Sequence, residues 1–156
     1  MKKSYCLISV ILLTAYLLQT MYNLKWPWLV ELQLNNTYKQ ISGLLMLLFI
    51  LSQWYLSILR MNNKMAEAHV ELNVHRTLGV LAPVFLYFHS HSLGYNYLFL
   101  LSVIYLGNFI IGFLHPSVFG IKVKWFTTTW IICHVSLSCF LMLLLFQHIY
   151  ISYWFE

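Results

Sequence analysis

The sequence predicts an all-α integral membrane protein: a five-transmembrane-helix bundle in a single domain over residues 1–156. Three observations lead there. Of 156 residues, 61% are hydrophobic and only 8% are charged, against about a quarter charged in soluble domains. A core this small cannot hide so many apolar side chains from water, so lipid is the expected solvent. The apolar residues also fall into five runs, about 4–22, 41–59, 74–91, 97–114 and 125–150, each long enough to cross a hydrocarbon layer as a helix. Finally, the nine Lys and Arg residues stand at the ends of those runs. The net charge of +5 therefore reads as topology signals, and no nucleic-acid partner is expected.

The first run follows Lys2 and Lys3. A signal peptide begins the same way, but no small-x-small cleavage site follows, so a retained helix is expected. Residues 23–40 read as a loop anchored at the interface by Trp26, Pro27 and Trp28. The second run closes at Arg60. The polar stretch 61–73 reads as helical and continuous with the third run, 74–91. Residues 92–96 (SLGYN) read as a turn. His115-Pro116 stops the fourth run, because Pro cannot continue the helical ladder. A short basic loop, 117–124, leads into the fifth run, with Trp154 and Phe155 at the far interface. Cys6, Cys133 and Cys139 form neither CxxC nor CxxCH, so buried, inert thiols are expected and covalent haem attachment is not signalled.

Charge sets the orientation. With the N-terminus cytoplasmic, the inner side receives Lys2, Lys3, Arg60, Lys64, Arg76, Lys122 and Lys124, and the outer side only Lys25 and Lys39. That bias follows the positive-inside rule. It puts the C-terminus outside and suggests a bacterial inner membrane or its equivalent.

The residues that point to chemistry are two pairs of histidines. His75 and His89 bracket HRTLGVLAPVFLYFH in the third run; His134 and His148 bracket HVSLSCFLMLLLFQH in the fifth. In an unbroken helix a fourteen-residue step is ~1400°, within ~40° of four turns, so both rings of a pair share one face, ~21 Å apart along the axis. One such pair is unremarkable among seven histidines; two, both in apolar runs on parallel helices, are not. Ionisable side chains in lipid usually mark a ligand site or a pathway. The topology sets His75 level with His134 on the inner side and His89 level with His148 on the outer side. Neutral imidazole is a strong axial ligand for haem iron, and two of them close the iron to oxygen. The expectation is two non-covalent bis-histidine haems b between the third and fifth helices, with these four histidines as metal ligands. The competing readings are packing residues and a His-lined proton or metal-ion path. The path expects acidic residues inside the runs, yet Glu31, Glu67, Glu71 and Glu156 all fall outside them.

Around the pairs, Gly79 would let a macrocycle approach the backbone. Arg76 could pair with an inner haem propionate or simply snorkel to the inner face. Gly107 and Gly112 read as close helix packing. Of the other histidines, His91 reads as interfacial, His115 as a helix end and His69 as solvated. The inner pair levels best if the third helix begins near Met65.

The pattern resembles the transmembrane haem domain of the ferric reductase and NADPH oxidase superfamily, in which two parallel helices each carry two histidines at this spacing. The matching residues are His75 and His89 in the HRTLG context, and His134 and His148 preceded by Trp130. The similarity covers roughly 41–150 and lies in spacing and order. Cytochrome b subunits of quinol-oxidising complexes share the same diagonal pattern. This sequence carries no glycine-rich nucleotide fingerprint. The resemblance thus implies a ferric-reductase-like electron conduit, whose donor and acceptor come from quinol or a redox partner protein, with quinone as a further candidate cofactor. Membership of a larger membrane complex, as a small non-catalytic subunit, is the alternative expectation. Tyr95 and Tyr97 could line an outer-face site, though an aromatic belt explains them equally.

Overall fold

The computed structural model describes residues 3–90, 92–120 and 123–154. Lys2, His91, Lys122, Phe155 and Glu156, which carry parts of the sequence reading, lie outside the described residues. Among the described residues there are seven α-helices, one short 3₁₀ turn and no strand. The chain divides into two compact units, Met1–Ser92 and Leu93–Glu156.

The first unit holds α1 (Lys3–Met21), α2 (Pro27–Leu34), α3 (Asn36–Met61), α4 (Met65–Gly79) and α5 (Ala82–His89). Asparagine ends two of these helices. After α1, Asn23 takes φ 53°, and the Leu24 N–H reaches back to the Gln19 carbonyl at 3.0 Å. After α3, Asn63 takes φ 56°, with Lys64 N–H to the Leu59 carbonyl at 3.0 Å and Asn63 N–H to the Arg60 carbonyl at 3.1 Å. Both are Schellman-type stops in which Asn, tolerant of the left-handed region, replaces the usual Gly. The helix expected to start near Met65 does so. The start of α3 is capped by Asn35, whose side chain accepts from the Tyr38 N–H at 3.2 Å.

Two sequence expectations are corrected here. Residues 23–40 contain a helix, α2, opened by Pro27 in its first turn. Proline suits that place because its missing N–H is one of the unpaired donors of a helix start and its φ is already helical. The third run is two helices rather than one. Pro83 has no N–H to give the Gly79 carbonyl and its ring crowds that turn. The chain switches to tighter bonds, Leu81 N–H to the Leu78 carbonyl and Val84 N–H to the Leu81 carbonyl, both 2.9 Å, and α5 starts afresh at Ala82. The ideal-helix geometry relating His75 to His89 therefore does not hold across the break.

α3 is the spine of this unit and packs along α2, α4 and α5, while α1 packs on α5. Its buried residues Ser42, Met46, Phe49 and Leu56, with half-buried Gln53, recur at helical spacing as one stripe. Phe49 stacks on Phe85 of α5, centroids 4.3 Å apart. Lower down, Leu56 and Leu59 bury against Ala68 of α4, with Leu72 packed alongside.

The far end of α5 is tied on three sides. Gln33 of α2, only 3% exposed, donates to the Tyr87 carbonyl at 2.7 Å and the Phe88 carbonyl at 3.1 Å. The Tyr38 hydroxyl donates to the Phe88 carbonyl at 2.9 Å, and Gln19 of α1 donates to the Tyr87 hydroxyl at 2.9 Å. The last carbonyls of a helix have no intrahelical partner, and these side chains supply one next to His89.

The second unit is α6 (Tyr97–Phe113), the 3₁₀ turn Pro116–Val118 and α7 (Lys124–Trp154), with α6 packed along α7. The turn before α6 depends on Gly94: φ is +75°, and a Cβ there would stand 2.6 Å from Leu98 Cβ.

Two helices, α3 with 26 residues and α7 with 31, are long and apolar enough to cross a membrane; Leu7–Met21 and Tyr97–Phe113 are shorter apolar helices. At about 1.5 Å per residue α3 is about 39 Å long and α7 about 46 Å, beyond the ~30 Å of a bilayer's hydrocarbon core. Leu44, Leu48, Phe99, Val103, Leu143 and Phe146 are all exposed, an apolar exterior of the kind that suits lipid.

Replacing Gln33 by Leu removes both of its bonds to the end of α5 and is expected to destabilise the chain by about 1–3 kcal/mol. Tyr38→Phe removes one bond and is expected to lose about 0.5–1.5 kcal/mol. Denaturation of the detergent-solubilised protein measures both; equal stability of Gln33→Leu and wild type would contradict the anchoring role.

Candidate functional site: histidines held by neighbouring helices

In the first unit, α3 grips both histidines. His89, the last residue of α5, places Nδ1 3.1 Å from Ser42 Oγ. His75, on α4, places Nδ1 3.2 Å from the Gln53 backbone carbonyl. Ser42 and Gln53 are eleven residues apart, about three turns, hence on one face of α3. A carbonyl can only accept, so His75 Nδ1 carries a proton and donates it. In a neutral ring the lone pair then sits on Nε2, the arrangement in which a histidine ligates metal while its other nitrogen is held by a second group.

A notch beside Ser42 receives the His89 ring. A Cβ on Gly43 would stand 3.2 Å from His89 Cε1 and 3.7 Å from its Nδ1. The glycine thus lets the imidazole lie against the α3 backbone, a close approach a larger residue would push off. Gly79 faces α3 rather than open space, its missing Cβ pointing to Gln53 Oε1 at 3.7 Å. Arg76 is half-buried, and its charge acts on His75 together with that of Arg60. Arg60 is thus a second cation at this level, beside the one identified from sequence.

In the second unit α7 runs unbroken from Lys124 to Trp154, so His134 and His148 keep the shared face expected of them. They lie on the same stripe as buried Leu141 and Leu145, and both Nδ1 atoms are buried. α6 meets both ends of the pair. Gly112 makes a second notch: a Cβ there would stand 3.1 Å from His134 Cε1. Trp130 stacks on the His134 ring, centroids 5.4 Å apart and planes 14° apart. It also donates its indole N–H to the Ile111 carbonyl at 2.7 Å and meets the His115 ring edge-on at 4.5 Å. At the other end Tyr97 lies 6.3 Å from the His148 ring. Ser138 sits one turn beyond His134, donating to its carbonyl at 2.8 Å and within 3.2 Å of Asn108 Oδ1 on α6. A Cβ on Gly107 would stand 3.5 Å from Leu137 Cδ2, so both α6 glycines face α7.

The remaining expectations divide. His69 is exposed, in keeping with a solvated residue. His115 stands just past the end of α6. Cys133 and Cys139 are exposed, which corrects the buried-thiol reading: both lie off the stripe that α7 buries. Among the described residues no group of three or more His, Cys, Asp or Glu side chains gathers. A bis-histidine haem asks for two such ligands; His75 and His89 are held through Nδ1 and His89 and His134 lie against a glycine, features that suit imidazole ligands.

Sequence reasoning passed over Ser42, Gly43 and Gln53. Their signal was visible: they are among the few small or polar positions in the second apolar run, ISGLLMLLFILSQWYLSIL. No protein family, curated protein or solved structure matches this chain.

Gly112→Val would crowd the His134 ring and is expected to destabilise the protein by about 1–3 kcal/mol. Gly107→Ala makes an ordinary contact with Leu137 and is expected to leave stability within about 0.5 kcal/mol of wild type. Unfolding curves in detergent compare the two; equal effects would contradict the notch.

Proposed function

We propose that the chain is a di-haem b-type cytochrome that carries electrons across a membrane. His75 and His134 hold an inner haem and His89 and His148 an outer one, with donor and acceptor supplied by partners. The observation that carries this reading is the pair of Nδ1 contacts from His75 and His89 to α3. Packing histidines have no need to be oriented alike, whereas ligands need Nε2 presented and the ring held. The fourteen-residue spacing of His134 and His148 along the unbroken α7 supports it further. So does the likeness of arrangement to the ferric reductase and NADPH oxidase haem domain.

Each protein group then has a task. The four imidazoles would hold the haems, which when bound would supply one-electron transfer, and a site closed by two imidazoles would exclude oxygen. Gly43 and Gly112 seat His89 and His134. Arg76, with Arg60, offers positive charge to a propionate at the inner level. Five spans, a cytoplasmic N-terminus and a bacterial inner membrane or equivalent are part of the proposal, supported by the run lengths and the Lys/Arg bias. Quinol in the bilayer or a redox protein completes the path. A proton or metal-ion path is less well supported: Glu67 is exposed and ion-paired with Lys64 at 3.4 Å, and Glu31 is exposed on α2. The exposed apolar helix faces also suit a small subunit of a larger assembly, which is compatible with haem and is separated from a solitary cytochrome by co-purification.

His89→Ala and His148→Ala are each expected to retain one haem per chain, and His75→Ala and His134→Ala likewise. The doubles His89→Ala/His148→Ala and His75→Ala/His134→Ala are expected still to hold one, because each removes ligands of a single site. His75→Ala/His89→Ala is expected to hold none. Pyridine haemochrome assays on purified variants count the haems; one haem in that last double would contradict the assignment.

A further inference from the structure

We propose that Ser42 is a positioning residue that fixes the tautomer of His89 and, on the di-haem reading above, sets the donor strength of His89 Nε2 and with it the potential of the outer haem. The argument starts from proton counting. Ser42 is 8% exposed and has one hydroxyl proton. That proton is directed at the Lys39 carbonyl one turn back, 3.2 Å from Oγ, a common arrangement for Ser in a helix. Oγ also lies 3.1 Å from His89 Nδ1; with its proton on the Lys39 carbonyl, Oγ accepts there and Nδ1 is the protonated nitrogen, which is the arrangement the proposal assigns. The chain reads His89 Nδ1–H to Ser42 Oγ–H to Lys39 carbonyl, two bonds in series that polarise one another in an apolar surrounding. Gly43, the next residue, supplies the gap that lets the ring reach Ser42.

An acceptor on Nδ1–H makes Nε2 a stronger electron donor and stabilises oxidised iron, which lowers the potential. The two sites differ here in a usable way. His75 donates to a backbone carbonyl, which no substitution of Gln53 removes, whereas His89 donates to a side chain. Changing Ser42 therefore addresses one site alone.

The test compares wild type, Ser42→Ala and Ser42→Thr, using the full chain in detergent, reduced so that six-coordinate iron is diamagnetic. ¹H–¹⁵N NMR of histidine-labelled protein reads the His89 Nδ1–H, identified by its loss in His89→Ala. The expected result is a downfield, slowly exchanging Nδ1–H in wild type and Ser42→Thr that moves upfield in Ser42→Ala. A bare Nδ1 in wild type, or a signal that Ser42→Ala leaves unmoved, overturns the proposal. This readout does not require haem, so it fails independently of the di-haem reading. Potentiometric titration then reads the tuning: Ser42→Ala is expected to raise one of two haem potentials and Ser42→Thr to leave both in place. Loss of a single haem in Ser42→Ala, retained in Ser42→Thr, also supports positioning. Two unmoved potentials, a shift of both, or wild-type protein without haem overturns the tuning.

Discussion

Two half-buried imidazoles of the first unit, His75 on α4 and His89 on α5, turn Nδ1 towards the same helix, α3. A ring N–H turned away from water forfeits a hydrogen bond unless an acceptor stands inside the protein. The Gln53 carbonyl accepts from His75, and Ser42 Oγ meets His89, the two lying three turns apart on the stripe that α3 buries. Much of the unit follows from holding that stripe against α4 and α5. The Phe49–Phe85 stack fixes the middle, the Leu56–Leu59–Ala68 contact fixes one end, and Gln33 with Tyr38 fixes the end next to His89.

α6 plays towards α7 the part that α3 plays towards α4 and α5, with different groups. A glycine opens room for an imidazole in each case, Gly43 for His89 and Gly112 for His134. In the first unit a hydroxyl and a carbonyl then hold the rings through hydrogen bonds. In the second an indole stacks on His134 and is itself tied to α6 through the Ile111 carbonyl. A helix that carries no proposed ligand thus supports each helix segment that does, which gives α3 and α6 a purpose beyond filling space.

Helical runs were legible in the sequence because long apolar stretches are read from composition and length alone. The start near Met65 was expected only on the reading that levels His75 with His134; the structure shows it as the helix that follows the Asn63 stop. The break at residues 80–81 was legible in principle, since Pro83 stands inside the run, but an apolar run with histidines fourteen residues apart also reads as one continuous helix. α2 was hidden because tryptophan and proline mark an interface as readily as a helix start. The histidines stood out by their cost in lipid. Ser42, Gly43 and Gln53 did not, because small and polar residues in a span serve helix packing just as often, and only tertiary contact shows which of them meets an imidazole. The exposure of Cys133 and Cys139 likewise depends on which face of α7 is buried, and periodicity over so uniformly apolar a helix does not reveal that.

The central claim is that four histidines at two levels hold two haems. The most direct measurement is a reduced-minus-oxidised spectrum of the purified full-length protein with haem counted per chain. Two b-type haems per chain, each six-coordinate and low-spin, is the predicted result; no haem, or one, would contradict it.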